Sequence, residues 1–160
     1  TRRDGGFQTV AFWLASRREL NFIGAIVVGA IAAVPTVGLG WYLTRTRALD
    51  LLALQFAAIA AVYVGGSLTK GQISVIWIET IAVVVFLLLA LFGRWASPAL
   101  LALGYFVHGL WDAVHHWGAI PGFLPDWYAP FCLGYDWVLA IFIGLKFVRS
   151  NPATVCSGGL

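Results

Sequence analysis

The sequence predicts an all-α, polytopic membrane protein: a single bundle of five transmembrane helices preceded by a short N-terminal interfacial segment. Three observations carry that prediction. Hydrophobic residues make up 61% of the 160 positions and charged residues 11%, whereas soluble domains carry about 25% charge. Five apolar runs reach the roughly 20 residues that a helix needs to cross a bilayer. Lys and Arg sit singly or in pairs at the ends of those runs, where bilayer anchors belong.

The elements follow in order. Residues 1–19 form an N-terminal segment, amphipathic or disordered. Within it Phe7, Val10, Ala11 and Leu14 recur at i, i+3, i+4, i+7 ahead of Arg17-Arg18, the pattern of a short helix lying in the membrane interface. The transmembrane domain spans 20–148, with helices expected at Leu20–Leu43, Ala48–Leu68, Ile73–Phe92, Ser97–Trp117 and Trp127–Val148. The first run is too long for a cleavable signal peptide and has no small-residue cleavage site. Short loops make the first four helices antiparallel neighbours. Ser97-Pro98 supplies an N-cap and a first-turn proline for the fourth helix. Gly118, Pro121, Gly122 and Pro125 make the following loop non-helical. Residues 149–160 are a polar tail.

Small residues mark where helices approach closely in lipid. Ala25, Gly29 and Ala33 line one stripe of the first helix, and Ala53, Ala57, Ala61 and Gly65 line one on the second. Those two helices read as scaffold, or as a face for other subunits of a membrane complex. The net charge of +3 comes without a basic patch, so nucleic acid is not an expected partner and the lipid bilayer is. Orientation is balanced: Arg2, Arg3, Arg17, Arg18 and Lys70 lie on one side, and Arg45, Arg47, Arg94, Lys146 and Arg149 on the other. The fourth loop carries only Asp126, which tilts it outward. Two cysteines, Cys132 in an apolar run and Cys156 in the tail, imply no disulfide framework.

All three histidines fall within nine residues of the fourth apolar run, at His108, His115 and His116, with Asp112 among them. An ionisable group at bilayer depth costs about 2.5–3.5 kcal/mol on insertion scales, so such groups are rare and functional by default. At 100° per residue the four sit at about 0°, 40°, −20° and 80°, on one helix face. His108 and His116 are about 12 Å apart along the axis at 1.5 Å per residue. One ion would therefore use His108 with Asp112, or Asp112 with His115 or His116.

Neighbouring helices supply groups at matching depth. Measured from the side of the second and fourth loops at 1.5 Å per residue, Asp112 and Cys132 lie about 8 Å deep, Glu79 about 10 Å, and His108 and Asp136 about 14 Å. Imidazole with carboxylate suits zinc, iron, copper or manganese, and a thiol tilts the choice toward zinc or copper. Plainer readings stand beside this. His108 with Asp136 is also the pattern of a structural pair between helices, His115 and His116 of solvated interface residues, and Cys132 of packing. The tryptophans, Trp111 included, read mainly as interface belt or packing. Haem is disfavoured because every histidine is on one helix; a single histidine holding a chlorophyll-type pigment stays open.

The pattern His108-x2-Trp111-Asp112-x2-His115-His116, followed by Cys132-x3-Asp136, resembles an uncharacterised family of small bacterial multi-pass membrane proteins. The resemblance runs from Asn21 to Phe142 and includes Tyr63-x-Gly65-Gly66 and Glu79. It implies a four- or five-helix bundle in a bacterial inner membrane and a shared polar site, and it supplies no activity, substrate or cofactor.

Three function classes follow, in order of preference. The first is a transition-metal site, hydrolytic or oxidative, built from His108, Asp112, His115, His116, Glu79 and Asp136. The second is an accessory subunit of a respiratory or photosynthetic complex. The third is proton or ion translocation along the His/Asp chain.

Overall fold

Five helices pack as a ring in which α1 lies against α5, α5 against α4, α4 against α3 and α3 against α2, with a lighter α1–α2 seam closing it. The structure, a computed structural model, describes residues 4–120 and 124–149, with side chains described from Asn21 onward apart from Lys70. The helices are α1 Asp4–Tyr42, α2 Arg45–Lys70, α3 Ile73–Trp95, α4 Pro98–His116 and α5 Tyr128–Ile143, the last continuing into a π-helical turn at Gly144–Val148. Among the described residues there is no strand.

Helix ends follow local chemistry. Gly71 closes α2 at φ 67°, a left-handed backbone that favours glycine, and its N–H reaches the Ser67 carbonyl. The expected cap of α4 forms: Ser97 Oγ accepts from Ala99 N–H at 3.4 Å and Pro98 fills the first turn. Gly118, at φ 74°, ends α4 by donating to the His115 carbonyl. At the far end of the bundle Lys146, in the π-turn, donates to the Gly40 and Trp41 carbonyls at 2.7 and 2.8 Å. A cation on the carbonyl end of α1 is favoured by the helix dipole. Arg94 pairs there with Asp50.

One expectation is corrected. The break between an interfacial helix and the first span is absent, because α1 continues from Asp4 to Tyr42. No proline or glycine lies between Phe7 and Phe22 to interrupt its hydrogen bonds. The Phe7–Leu14 side chains, residues 1–3, and the tail from 150, Cys156 included, lie outside what is described.

The small-residue stripe of α1 faces α5, the scaffold role expected of it. A Cβ on Gly29 would meet the Phe131 carbonyl, and one on Gly134 the Ile26 carbonyl, so a glycine on each helix admits the other's backbone. On α2, Ala61 and Gly65 remain on the exposed surface.

Four helices are long and apolar enough to cross a membrane: Asn21–Tyr42, Arg45–Thr69, Ile73–Trp95 and Tyr128–Val148. Large apolar side chains such as Ile31, Trp77, Ile81 and Ile141 are more than 60% exposed on their outer faces. A surface of that kind belongs in lipid, and the protein is a multi-pass membrane protein. The remaining helix, α4, carries Asp112 and all three histidines. It packs against both α3 and α5.

Candidate metal centre

The polar groups of α4 point into the ring. His108, Asp112 and Asp136 are fully buried, and Glu79 and His115 nearly so. Helix pitch then sorts them. His108 and Asp112 stand one turn apart on a single face, and the His108 ring nitrogen Nδ1 is 3.4 Å from Asp112 Oδ2. The same nitrogen is 2.7 Å from Asp136 Oδ2 on α5, so the two residues expected at one depth do meet. One ligand atom from each of His108, Asp112 and Asp136 lies within 4.8 Å of the others.

Tyr63 of α2 completes this group, its hydroxyl donating to Asp112 Oδ1 at 2.7 Å. Of the four buried side-chain atoms left without a partner among the described residues, three belong to this group, His108 Nε2, Asp112 Oδ2 and Asp136 Oδ1, and the fourth is Gln55 Oε1. Unsatisfied polar atoms in an apolar interior are costly and call for an unseen water or ion.

A second group forms one turn nearer the loop. His115 Nε2 is 2.7 Å from Glu79 Oε1, its Nδ1 is 2.9 Å from the Trp111 carbonyl, and Trp111 Nε1 donates to Glu79 Oε2 at 3.3 Å. Every polar atom of this Glu79–His115–Trp111 set therefore has a partner. Trp111 is thus a hydrogen-bond donor inside the bundle, unlike the exposed Trp77, Trp95 and Trp117.

His116 joins neither group. One residue beyond His115 is a 100° turn, which carries it toward α1, where its ring stacks on Phe22 with centroids 4.5 Å apart. Cys132 is buried with a free thiol and stands outside the set of mutually close ligand atoms. The residues proposed for one site from sequence are thus divided: His108, Asp112 and Asp136 together, Glu79 with His115, and His116 and Cys132 apart.

Tyr63 is the residue whose role the sequence reading missed, although it lies in a quoted motif. It sits seven residues from the end of α2, about 10 Å deep at 1.5 Å per residue, level with Glu79 and within one helical turn of Asp112. The depth arithmetic used for α3 and α5 would have found it on α2. A further polar set also went unread: the Thr36 and Tyr135 hydroxyls are 2.7 Å apart, and Gln55 Nε2 donates to Tyr135.

Beneath the loop after α4 lies a cavity of about 680 Å³ lined by Phe22, Tyr63, His115, His116, Asp126 and Ala129 among others. Tyr63 and His115 form its floor, their rings 4.1 Å apart. On the other side of the triad the packing is closed: Phe86 sits 4.9 Å and Phe56 5.8 Å from the His108 ring, and Tyr105 is fully buried beneath them.

Residues 20–150 match the family of unknown function DUF6010, and the chain belongs to that family. No curated protein and no solved structure matches the chain.

Proposed function

We propose that this member of DUF6010 is a small membrane protein that holds a divalent transition-metal ion on His108, Asp112 and Asp136, in a bundle of five transmembrane helices in a bacterial inner membrane. In this reading α4 is the fifth span, and its polar groups are shielded from lipid by α3 and α5. One observation carries the proposal: one ligand atom from each of three fully buried residues lies within 4.8 Å of the others, and Asp112 Oδ2, 3.4 Å from His108 Nδ1, has no hydrogen-bond partner of its own.

Charge and spacing both support it. In the ligand form, with the His108 imidazole neutral, the two carboxylates would sum to −2 in a low-dielectric interior. No Lys or Arg among the described residues pairs with them. One divalent cation cancels that charge, and an uncompensated buried charge is strongly destabilising. Around a tetrahedral ion with bonds of 2.0–2.1 Å, ligand atoms sit about 3.3 Å apart. His108 Nδ1 and Asp112 Oδ2 already show that spacing at 3.4 Å. The 2.7 Å contact to Asp136 would open by about 0.6 Å to reach it.

One nitrogen and two carboxylates suit zinc, iron(II) or manganese better than copper(I), which prefers sulfur. When bound, such an ion supplies Lewis acidity and an activated water at its open position. Tyr63 holds Asp112 in place from outside the ligand set, the usual position of an orienting partner.

Metal analysis of the detergent-purified protein tests the reading. About one zinc, iron or manganese per chain is expected in the parent, falling to background in His108→Ala and Asp136→Asn. A parent without metal that also fails to take up added zinc refutes it.

A second reading has an observation of its own. Tyr63, Asp112, His108 and Asp136 form a continuous chain of contacts inward from the cavity floor, the arrangement of a proton path. It requires proton uptake in liposomes that Asp136→Asn abolishes without any metal present.

A further inference from the structure

We infer that the cavity beneath the loop after α4 is the route by which a divalent cation reaches the buried triad, and that Tyr63 is the barrier between them. The inference rests on the metal reading of the triad and adds to it a side, a path and a gate.

Among the described residues, the near end of the site lies against a cavity. Asp112 lies four residues from the end of α4, about 6 Å at 1.5 Å per residue, whereas fourteen residues, about 21 Å, separate it from Pro98 at the other end. That longer path is filled by Phe56, Tyr105, Leu101 and Leu52, all fully buried, and Phe86, nearly so. The short path holds a cavity of about 680 Å³, room for many water molecules at about 30 Å³ each.

The chemistry of the walls fits a cation. Among the described residues Asp126, His115 and His116 line the cavity and no Lys or Arg does. His116 makes no hydrogen bond among the described residues, so stacking on Phe22 leaves its ring nitrogens available. The smaller cavity at the opposite end of the bundle, about 220 Å³, is lined by Arg45 and Arg94, which would repel the same ion.

Tyr63 separates the two compartments. Its ring lies on His115 in the cavity floor, and its hydroxyl is bonded to Asp112 in the triad. An ion passing inward must displace that hydroxyl from Asp112 Oδ1. The donor that orients the ligand is then also the one that closes the path. Neighbouring Glu79 holds His115 in place from the α3 side, so the floor around Tyr63 is fixed.

Two measurements test this on the full chain. In the first, Ala129→Cys and Thr46→Cys are made separately in a Cys132→Ala, Cys156→Ala background that still takes up zinc, and each is labelled with a cationic thiosulfonate. Labelling at 129, in the cavity wall, is expected to slow zinc loading at least tenfold. Labelling at 46, beside Arg45, is expected to leave loading within twofold. Equal rates at 129 with and without label, or slowing at 46, overturn the route. A background protein that takes up no zinc overturns the triad as a metal site instead, so the two failures are distinct.

The second needs no metal. Histidines are modified with diethylpyrocarbonate and located by mass spectrometry. In the parent His116 is expected to react and His108 to be protected. Tyr63→Ala is expected to expose His108, while Phe56→Ala, an equal loss of aromatic packing on the closed side, leaves it protected. His108 reactive in the parent, protected in Tyr63→Ala, or equally exposed by both substitutions overturns Tyr63 as the barrier.

Discussion

Tyr63→Phe removes one oxygen and nothing else. The ring that packs on His115 stays, and the 2.7 Å hydrogen bond to Asp112 is lost. A hydrogen bond to a charged group contributes about 1.5–3 kcal/mol. An orienting partner outside the ligand set contributes a factor of about 10–100 in metal affinity, which is about 1.4–2.7 kcal/mol at 1.36 kcal/mol per tenfold. The two figures agree, so most of the hydroxyl's contribution should appear as metal affinity. Zinc affinity is measured by competition against a chelating dye in detergent, alongside thermal unfolding of the metal-free protein. The expected result is a Kd raised about 10–100-fold, with one ion still bound at saturation. An unchanged Kd would refute the argument, because Asp112 would then be held equally well without its donor. Loss of all binding would refute it too, since that would make the phenol a ligand.

Other expectations follow from the same geometry. Glu79→Gln keeps groups able to bond both Trp111 and His115 and should leave zinc stoichiometry at the parental level. Glu79→Ala orphans the two partners at about 1–3 kcal/mol each, read as a lower unfolding temperature. Metal lost in Glu79→Gln would mean that the two polar groups are one site. Gly29→Ala drives a methyl into the Phe131 carbonyl and should destabilise the α1–α5 contact by about 1–3 kcal/mol. Gly38→Ala, with open space around it, should be neutral or stabilising in the same thermal assay. Lys146→Ala frees two carbonyls at the end of α1 and, at a partly solvated position, should cost about 0.3–1 kcal/mol, less at high salt.

The fold was largely legible in the chain. Apolar runs and anchoring charges placed the helices within a few residues, apart from the start of α1, because bilayer thickness sets the length of a span and Ser97-Pro98 marks an end by local chemistry. Depth was legible too. Counting residues from one surface put His108 opposite Asp136, and the two touch. What counting could not give is the neighbour each residue faces. His115 and His116 differ by 100° and so meet different helices, one turning to Glu79 on α3 and the other to Phe22 on α1. That choice depends on the order of helices in the ring, which short loops constrain only for sequential pairs. Glu79 was read as a ligand for the same reason: its depth falls between the two tiers, and only packing assigns it to the outer one. The glycine stripe of α1 signalled close approach correctly, but a stripe does not say which surface it approaches. Here that surface is the glycine-bearing face of α5.

X-ray absorption at the edge of the bound metal, on the purified full chain, tests the central claim most directly. The account expects nitrogen and oxygen scatterers alone at about 2.0–2.2 Å, with the multiple-scattering signature of one imidazole, both lost in His108→Ala. A sulfur shell near 2.3 Å would place Cys132 on the metal, and an imidazole signature surviving in His108→Ala would move the ion to another histidine. Either result would contradict a site built from His108, Asp112 and Asp136.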